Sequence, residues 1–232
     1  MSNITNVPFS PAAAHVMSTA DQRDLRPEVL NDDGSLRIVP ASYYRATSPT
    51  ERALLGNRAG LYGLPTSELI AWLEGRIAGR SAIEIGAGDG LISAVLGIPG
   101  TDSKMQDDPK VTALYKQIGQ TTVPYGAHVK KLDAKDAIAQ YKPQVVIAQW
   151  VTHQYKKDRH EAGGNIYGVN EEAVLARCEE YIFIGNEEVH KGKSIWNLPH
   201  EIFYPNWLFS RAINGSRDFI AVWPGTRPKV IK

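Results

Sequence analysis

The sequence predicts an α/β fold in which a doubly wound sheet follows an irregular N-terminal extension, and three observations carry that expectation. From residue 65 onward, short apolar strand patterns alternate with segments of helical period. Residues 144–151 form an almost unbroken apolar run of the kind needed at the centre of a parallel sheet. Residues 82–90 read Ala-Ile-Glu-Ile-Gly-Ala-Gly-Asp-Gly, an apolar strand that turns sharply into a helix at glycines spaced two apart.

The elements follow in order. In residues 1–64, Pro8, Pro11, Pro27, Pro40 and Pro49 interrupt the chain and no long amphipathic period develops, so this part reads as an extension or cap. Short helices are expected over Ser10 to Met17 and Pro49 to Leu55, the second with Ser48 as N-cap and Pro49 at its first position. Tyr43, Tyr44 and Tyr62 are expected to pack on the main domain, residues 65–232. That domain opens with Leu69, Ile70, Leu73 and Ile77 at helical spacing before the glycine-rich strand. A short helix from Leu91 to Leu96 follows, then a short strand over Thr101 to Met105. Next comes a helix begun by Asp108-Pro109, with Val111, Leu114, Tyr115 and Ile118 on one face. Tyr125 to Leu132 reads as a third strand, Ala134 to Tyr141 as a helix, and Gln144 to Val151 as the fourth strand. Asn170 caps a helix containing Ala173 to Glu180. Tyr181 to Gly185, His200 to Tyr204 and Asp218 to Trp223 then complete seven strands, with a helix-like turn over Asn206 to Ile213 before the last.

Composition bounds the function classes. A chain of 232 residues with 43% apolar content suits one sizeable domain plus an extension. A formal net charge of +1 gives no support to a protein that coats nucleic acid or lies on a membrane surface. The locally basic run Tyr155-Lys156-Lys157-Asp158-Arg159-His160 could meet a phosphate, although a solvated charge run is the commoner explanation. The lone cysteine, Cys178, can form no internal disulfide and is expected to be buried within its helix. No apolar run has membrane-spanning length or the layout of a signal peptide, and the expected compartment is the cytoplasm. The residues leave the acceptor partner and the oligomeric state unspecified.

The glycine loop narrows the ligand. Position 91, where the third glycine of a dinucleotide fingerprint would fall, is leucine, and no Gly-Lys-Ser/Thr ending follows. Glu84 and Asp89 would repel a pyrophosphate, so a cationic ligand suits this turn better. Glu84-Ile85-Gly86-Ala87-Gly88-Asp89-Gly90 resembles the first motif, Asp/Glu-x-Gly-x-Gly-x-Gly, of the class I S-adenosylmethionine-dependent methyltransferases. The match over these seven residues is complete, and in element order the resemblance extends from Pro65 to Pro224.

The resemblance implies a Rossmann-like, three-layer, mostly parallel seven-stranded sheet. It also implies S-adenosyl-L-methionine held at Glu84, Gly86, Ala87, Gly88, Asp89 and Gly90. Asp102 is the carboxylate it implies for the ribose. Asp102 comes earlier after the glycines than that family places it, so Asp107 and Asp108 stay open, although Asp108 is better explained as a helix cap. Leu132-Asp133-Ala134 looks like the family's strand-end Asp-Ala, which meets the adenine, while Asp133 is equally suited to capping the next helix. Gln149 and Trp150 leave the fourth strand at the carboxyl edge, where ligands bind in open α/β folds. Trp150 is placed against the cofactor or, alternatively, in plain core.

Methyl transfer is an in-line displacement that needs a base only when the acceptor starts protonated. His153 is the first candidate and Tyr155 a second. Asp158, His160, Glu187, Glu188 and His190 are better read as ordinary polar loop residues, and the histidine separations match no metal-ligand pattern, so no metal is expected. The run Gln149-Trp150-Val151-Thr152 lacks the Asn/Asp-Pro-Pro-Tyr/Phe element of amino-methylating DNA enzymes, and Cys178 is not placed as a nucleophile. A small-molecule acceptor under the N-terminal segment is therefore favoured, with RNA or a nucleotide left open. Two readings from other classes stand beside it: a non-catalytic S-adenosylmethionine-binding sensor or scaffold, and a nicotinamide oxidoreductase, which the missing third glycine disfavours.

Overall fold

Seven strands form one sheet in the computed structural model, which describes residues 21–227. They are β1 (Ala82–Ile85), β2 (Gly100–Asp102), β3 (Lys130–Lys131), β4 (Val145–Gln149), β5 (Glu180–Asn186), β6 (Glu201–Phe203) and β7 (Asp218–Pro224). The order is β3-β2-β1-β4-β5-β7-β6. Strands β3 to β5 run parallel, and β7 is antiparallel to both β5 and β6. The chain leaves β1 to one side and returns to pair β4 on the other. A crevice therefore opens at the carboxyl ends of β1 and β4, the switch point of such sheets.

Alternation along the strands builds the two flanking layers. Val146, Ala148, Tyr181, Phe183, Phe219, Ala221 and Trp223 point into one core, with α7 (Ala134–Tyr141) and α8 (Glu171–Leu175) packed on it. Val145, Ile147, Ile182, Ile184, Ile220 and Val222 point into the other, covered by α4 (Ser67–Ile77) and α5 (Leu91–Leu96). Both faces of β4 and β5 are thus apolar, which is why their sequences read as continuous hydrophobic runs. On α4, the residues expected at helical spacing, Leu69, Ile70, Leu73 and Ile77, are its buried ones.

The segment before α4 folds as α1 (Arg26–Val29), α2 (Ala41–Arg45) and α3 (Pro49–Ala59) around its own apolar cluster, which includes Leu25, Tyr44, Leu55, Leu61 and Leu64. A capping box starts α3: the Glu51 N–H donates to Ser48 Oγ (3.1 Å) and the Ser48 N–H to Glu51 Oε2 (2.7 Å). The helix runs past the expected end at Leu55 and stops at Gly60, whose φ of 71° is left-handed. The helix expected over Ser10 to Met17 lies outside the described residues.

Further expectations differ from the structure, the first two because distant chain claims the backbone. No helix forms over Asn206 to Ile213, because this stretch spends its carbonyls on the N-terminal segment. The Leu64 N–H donates to Phe209 O (2.9 Å), and Thr66 Oγ1 donates to Trp207 O (3.0 Å). The helix α8 ends at Leu175 rather than continuing through Cys178. The carbonyls of Leu175, Cys178 and Glu179 accept from Thr226, Arg227 and Gly225 instead. Cys178 is nevertheless buried, which pushes its thiol up to about 12. Only Lys130 and Lys131 of the expected third strand pair with β2, and β2 itself stops at Asp102, before a single 3₁₀ turn over Met105–Asp107. Between β2 and β3 lies α6 (Pro109–Gln117), capped by Asp108. Leu114, read as sharing one face with Val111, Tyr115 and Ile118, is exposed. A last short helix, α9 (Glu187–His190), follows β5. Among the described residues no helix is long and apolar enough to cross a membrane.

Candidate active site

The loop between β1 and α5 is built on backbone that side chains disfavour. Gly86, Gly88 and Gly90 have φ of 58°, 57° and 74°, all left-handed. A Cβ on Gly86 would lie 2.3 Å from Val151 Cγ1, so that position accepts nothing larger than glycine without moving β4's exit. Beneath the loop Glu84 is 2% exposed, and one of its carboxylate oxygens accepts from the Ser93 N–H (2.9 Å) in the first turn of α5. Glu84 thus fastens strand to helix from below.

Asp102, at the end of β2, fastens the loop from the side. Its Oδ2 accepts from the Gly88 N–H (3.0 Å) and its Oδ1 from the Lys104 N–H (2.7 Å). Each oxygen keeps a lone pair for a ligand hydroxyl. Asp107 and Asp108 do not reach the crevice, and Asp108 caps α6 through the Lys110 N–H (2.8 Å). Asp133 caps α7, its Oδ1 accepting from the Asp136 N–H (2.9 Å), and it also lines the crevice.

The crevice is a cleft of about 710 Å³. The structure brings together along it Gly86, Ala87, Gly88, Asp89, Asp102, Asp133, Ala134, Gln149 and Trp150. Glu84 and Gly90 lie behind its wall. Among these acids, burial dominates the electrostatics. It pushes Glu84 up to about 8, helped by the charges of Asp89 and Asp102 and opposed by the Ser93 hydrogen bond. Asp89 and Asp102 are also raised by burial, against the N–H groups that donate to them. Carboxyls held this way gain from a nearby cation, which would favour their ionised forms.

At the far side of the cleft, Trp150 is held in a left-handed conformation (φ 57°), with its N–H donating to Ile184 O (2.9 Å). Its ring lies 6.0 Å from that of Tyr62 and meets His190 edge-on at 5.2 Å. Tyr62 comes from the N-terminal segment. Gly60, Leu61, Tyr62 and Gly63 close this end of the cleft, and the Arg211 N–H donates to Tyr62 O (3.0 Å). The Tyr62 and Tyr115 hydroxyls share a hydrogen bond of 2.8 Å, and the Arg211 guanidinium stacks 3.7 Å from the Tyr62 ring centroid. The turn after β4 is anchored by a buried ion pair. Lys193 and Glu171, with side chains 0% and 2% exposed, meet at 2.9 Å. Lys193 Nζ also donates to Val151 O (2.9 Å), and Tyr181 donates its hydroxyl to Glu171 (2.8 Å). Burial lowers the Lys193 ammonium and the Glu171 charge opposes that shift.

The candidate bases lie elsewhere. His153 turns away from the cleft into a small side crevice beside Lys156, Arg159 and Gly192. There its backbone pairs with Val169, and burial lowers its imidazole. Tyr155 is hydrogen-bonded to His160 away from the cleft. Asp158 is exposed, Glu187 pairs with Arg217 (2.8 Å) and Glu188 with Lys191. His190 is buried behind Trp150, where its Nδ1 accepts from the Asn186 N–H (2.9 Å) and burial pushes it down to about 3. Among the described residues no three His, Cys, Asp or Glu side chains gather as metal ligands.

The sequence reading set the N-terminal segment over the acceptor and Tyr62 against the main domain, but it did not single out Tyr115 or the Gly60 to Gly63 stretch at this site, nor did it find the Lys193–Glu171 pair. Only the Gly-Leu-Tyr-Gly run over 60–63, a turn signal inside an otherwise irregular segment, hinted at any of them.

No protein-family model matches this chain, and no curated protein sequence does. Among solved structures it is similar to WbdD, at 12% identity with a TM-score of 0.38, the match covering 67% of this chain and 40% of WbdD. A co-crystal of WbdD with the kinase inhibitor LY294002 matches at 11% identity with the same TM-score. Thermoplasma acidophilum 1320 matches at 18% identity with a TM-score of 0.34, over 67% of this chain and 84% of that one. The match therefore spans well under half the length of WbdD.

Proposed function

We propose that this protein is an S-adenosylmethionine-dependent methyltransferase acting on a small-molecule acceptor. The observation that carries the reading is the joint held by Asp102: a left-handed glycine backbone facing a cleft, tied by Gly88 to a carboxylate with lone pairs to spare. That cradle fits the donor's chemistry. Gly88 offers backbone without a side chain, Asp102 can accept from two vicinal hydroxyls, and Asp133-Ala134 borders the cleft where an adenine edge would lie. Three lining carboxylates, Asp89, Asp102 and Asp133, favour a cation over a pyrophosphate.

When bound, the donor supplies a methyl carbon already activated by a positively charged sulfur. The protein's own task is then alignment. The Lys193–Glu171 pair fixes the Val151 carbonyl and with it the turn that presents Trp150, while Gly60 to Gly63 close the cleft over the carboxyl edge. The test is an acceptor panel incubated with methyl-labelled donor, following formation of S-adenosylhomocysteine. Turnover that requires the protein and is lost in Gly88→Val supports the reading. Donor binding with no turnover on any acceptor class would favour a sensor or scaffold.

A further inference from the structure

Resting on the methyltransferase reading, we propose that the aromatic half of the cleft takes an uncharged planar nitrogen heterocycle, whose ring-nitrogen lone pair attacks the methyl group without help from a protein base. The cleft divides by chemistry. All of its charged lining side chains, Asp89, Asp102, Asp133, Lys135 and Arg177, belong to the glycine loop, the end of β2, the start of α7 or the turn that follows α8. The half bounded by Gly60 to Gly63, Tyr115 and Gln149 to Thr152 offers phenol, indole, amide and hydroxyl groups, with no carboxylate, imidazole or ammonium. An anionic acceptor would lose its hydration there and find no cationic side chain in the lining, the Arg211 guanidinium lying against the Tyr62 ring outside it.

The same inventory decides which nucleophile can react. A phenol or an ammonium must first lose a proton, and the nearby imidazoles cannot take it: His190 Nδ1 already accepts from Asn186, and His153 faces the side crevice. A pyridine-type nitrogen has no proton to lose. A nitrogen–carbon bond forms as the methyl carbon–sulfur bond breaks, the electron pair passes to sulfur, and the positive charge moves from sulfur to the ring. The indole of Trp150, lining the cleft beside Tyr62, stabilises that emerging cation. Gln149 specifies a second feature. Its amide lines the cleft, and its Nε2, packed against Gly63, has no partner; where the 60–63 stretch gives way, that N–H can donate to a further acceptor atom on the ligand, such as a second ring nitrogen.

The experiment uses the full chain and three bicyclic probes of matched size: 1,6-naphthyridine, 2-naphthol and 1-naphthylmethylamine. Calorimetry with S-adenosylmethionine comes first, because failure to bind it removes the methyltransferase reading and this acceptor with it. Probe binding is then measured with S-adenosylhomocysteine present, where nothing turns over. The N-methylated naphthyridine cation should bind about 3- to 30-fold more tightly than the neutral ring. Trp150→Asn, which suits a left-handed position, should erase that preference. In turnover, naphthyridine should outpace naphthol by about 100-fold, the scale of a missing general base. The acid limb of the rate should move with the ring basicity of the naphthyridine used. Four outcomes would overturn the proposal while leaving the methyltransferase reading intact: preferential methylation of naphthol or amine, an acid limb that stays fixed when the heterocycle is changed, an unaltered cation preference in Trp150→Asn, or donor binding with no probe bound.

Discussion

Replacing Glu84 with glutamine should stabilise this protein at neutral and alkaline pH, although it removes a charge next to the proposed donor site. Glu84 is 2% exposed, and burial, reinforced by Asp89 and Asp102, lifts its carboxyl from 4.5 to about 8. An acid whose folded value lies above its unfolded one gives its full contribution below the unfolded value, and that contribution is lost as pH rises through the folded value. The window therefore runs from about 4.5 to about 8. At 1.36 kcal/mol per unit this sets a ceiling of roughly 5 kcal/mol, and relaxation around the ionised group brings the expected loss to about 2–4 kcal/mol. Glutamine keeps an oxygen that can accept the Ser93 N–H, now 2.9 Å from Glu84 Oε2, but does not ionise. Urea denaturation at intervals from pH 4.5 to 8.5 should show wild-type stability falling across that window relative to the variant. Parallel curves would refute the reasoning, because they would mean that Glu84 titrates alike in folded and unfolded chains.

Other perturbations separate structural from ligand-binding roles. Lys193→Met strands Glu171 in the core and should cost about 3–5 kcal/mol, with much of that recovered in Lys193→Met/Glu171→Gln; a midpoint shift worth under 1 kcal/mol in the single variant would contradict the buried pair. Gly88→Val forces a β-branched residue into a left-handed position with its Cβ 3.3 Å from Val123 Cγ1. It should lose about 1–2 kcal/mol of stability and all donor binding, and unchanged affinity would remove this loop from the site. Asp133→Ala should lose the α7 cap, about 1 kcal/mol by thermal melting, as well as donor affinity, whereas Asp133→Asn should keep the cap and isolate the charge. Equal donor affinity in all three Asp133 forms would leave that residue a cap alone.

How far the sequence carried the fold depended on whether a segment's bonds were local. The strands β1, β4, β5 and β7 were readable because both of their faces are buried and their interiors are apolar apart from Glu84 in β1, and the glycine loop because its left-handed backbone leaves glycine little competition. The Asp102 position followed from strand order, and the bond to Gly88 explains how it reaches the loop despite arriving early. Segments whose hydrogen bonds are paid to distant chain were not readable. Residues 207–209 serve Leu64 and Thr66, and the carbonyls after α8 serve residues 225–227, so local helical patterns there were overridden. His153 illustrates the same point for the site. Leaving β4 near the carboxyl edge put it in the right neighbourhood, but pairing of the next residues with 165–169 carried its ring to the other side of the turn. Lys193 reaches the site only through tertiary packing, of which neither periodicity nor motif gives notice, and the approach of Tyr62 to Trp150 was signalled by no more than the turn around it.

The most direct test is a calorimetric titration of the purified protein with S-adenosylmethionine and with S-adenosylhomocysteine, with NADH as the control. The account predicts that both sulfur ligands bind with one site each. The charged one should release more protons at pH 7, because a sulfonium in the cleft lowers the Glu84 carboxyl, which burial and the charges of Asp89 and Asp102 hold up to about 8, and NADH should give no heat. Binding of NADH, or silence toward both sulfur ligands from protein shown to be folded, would contradict it.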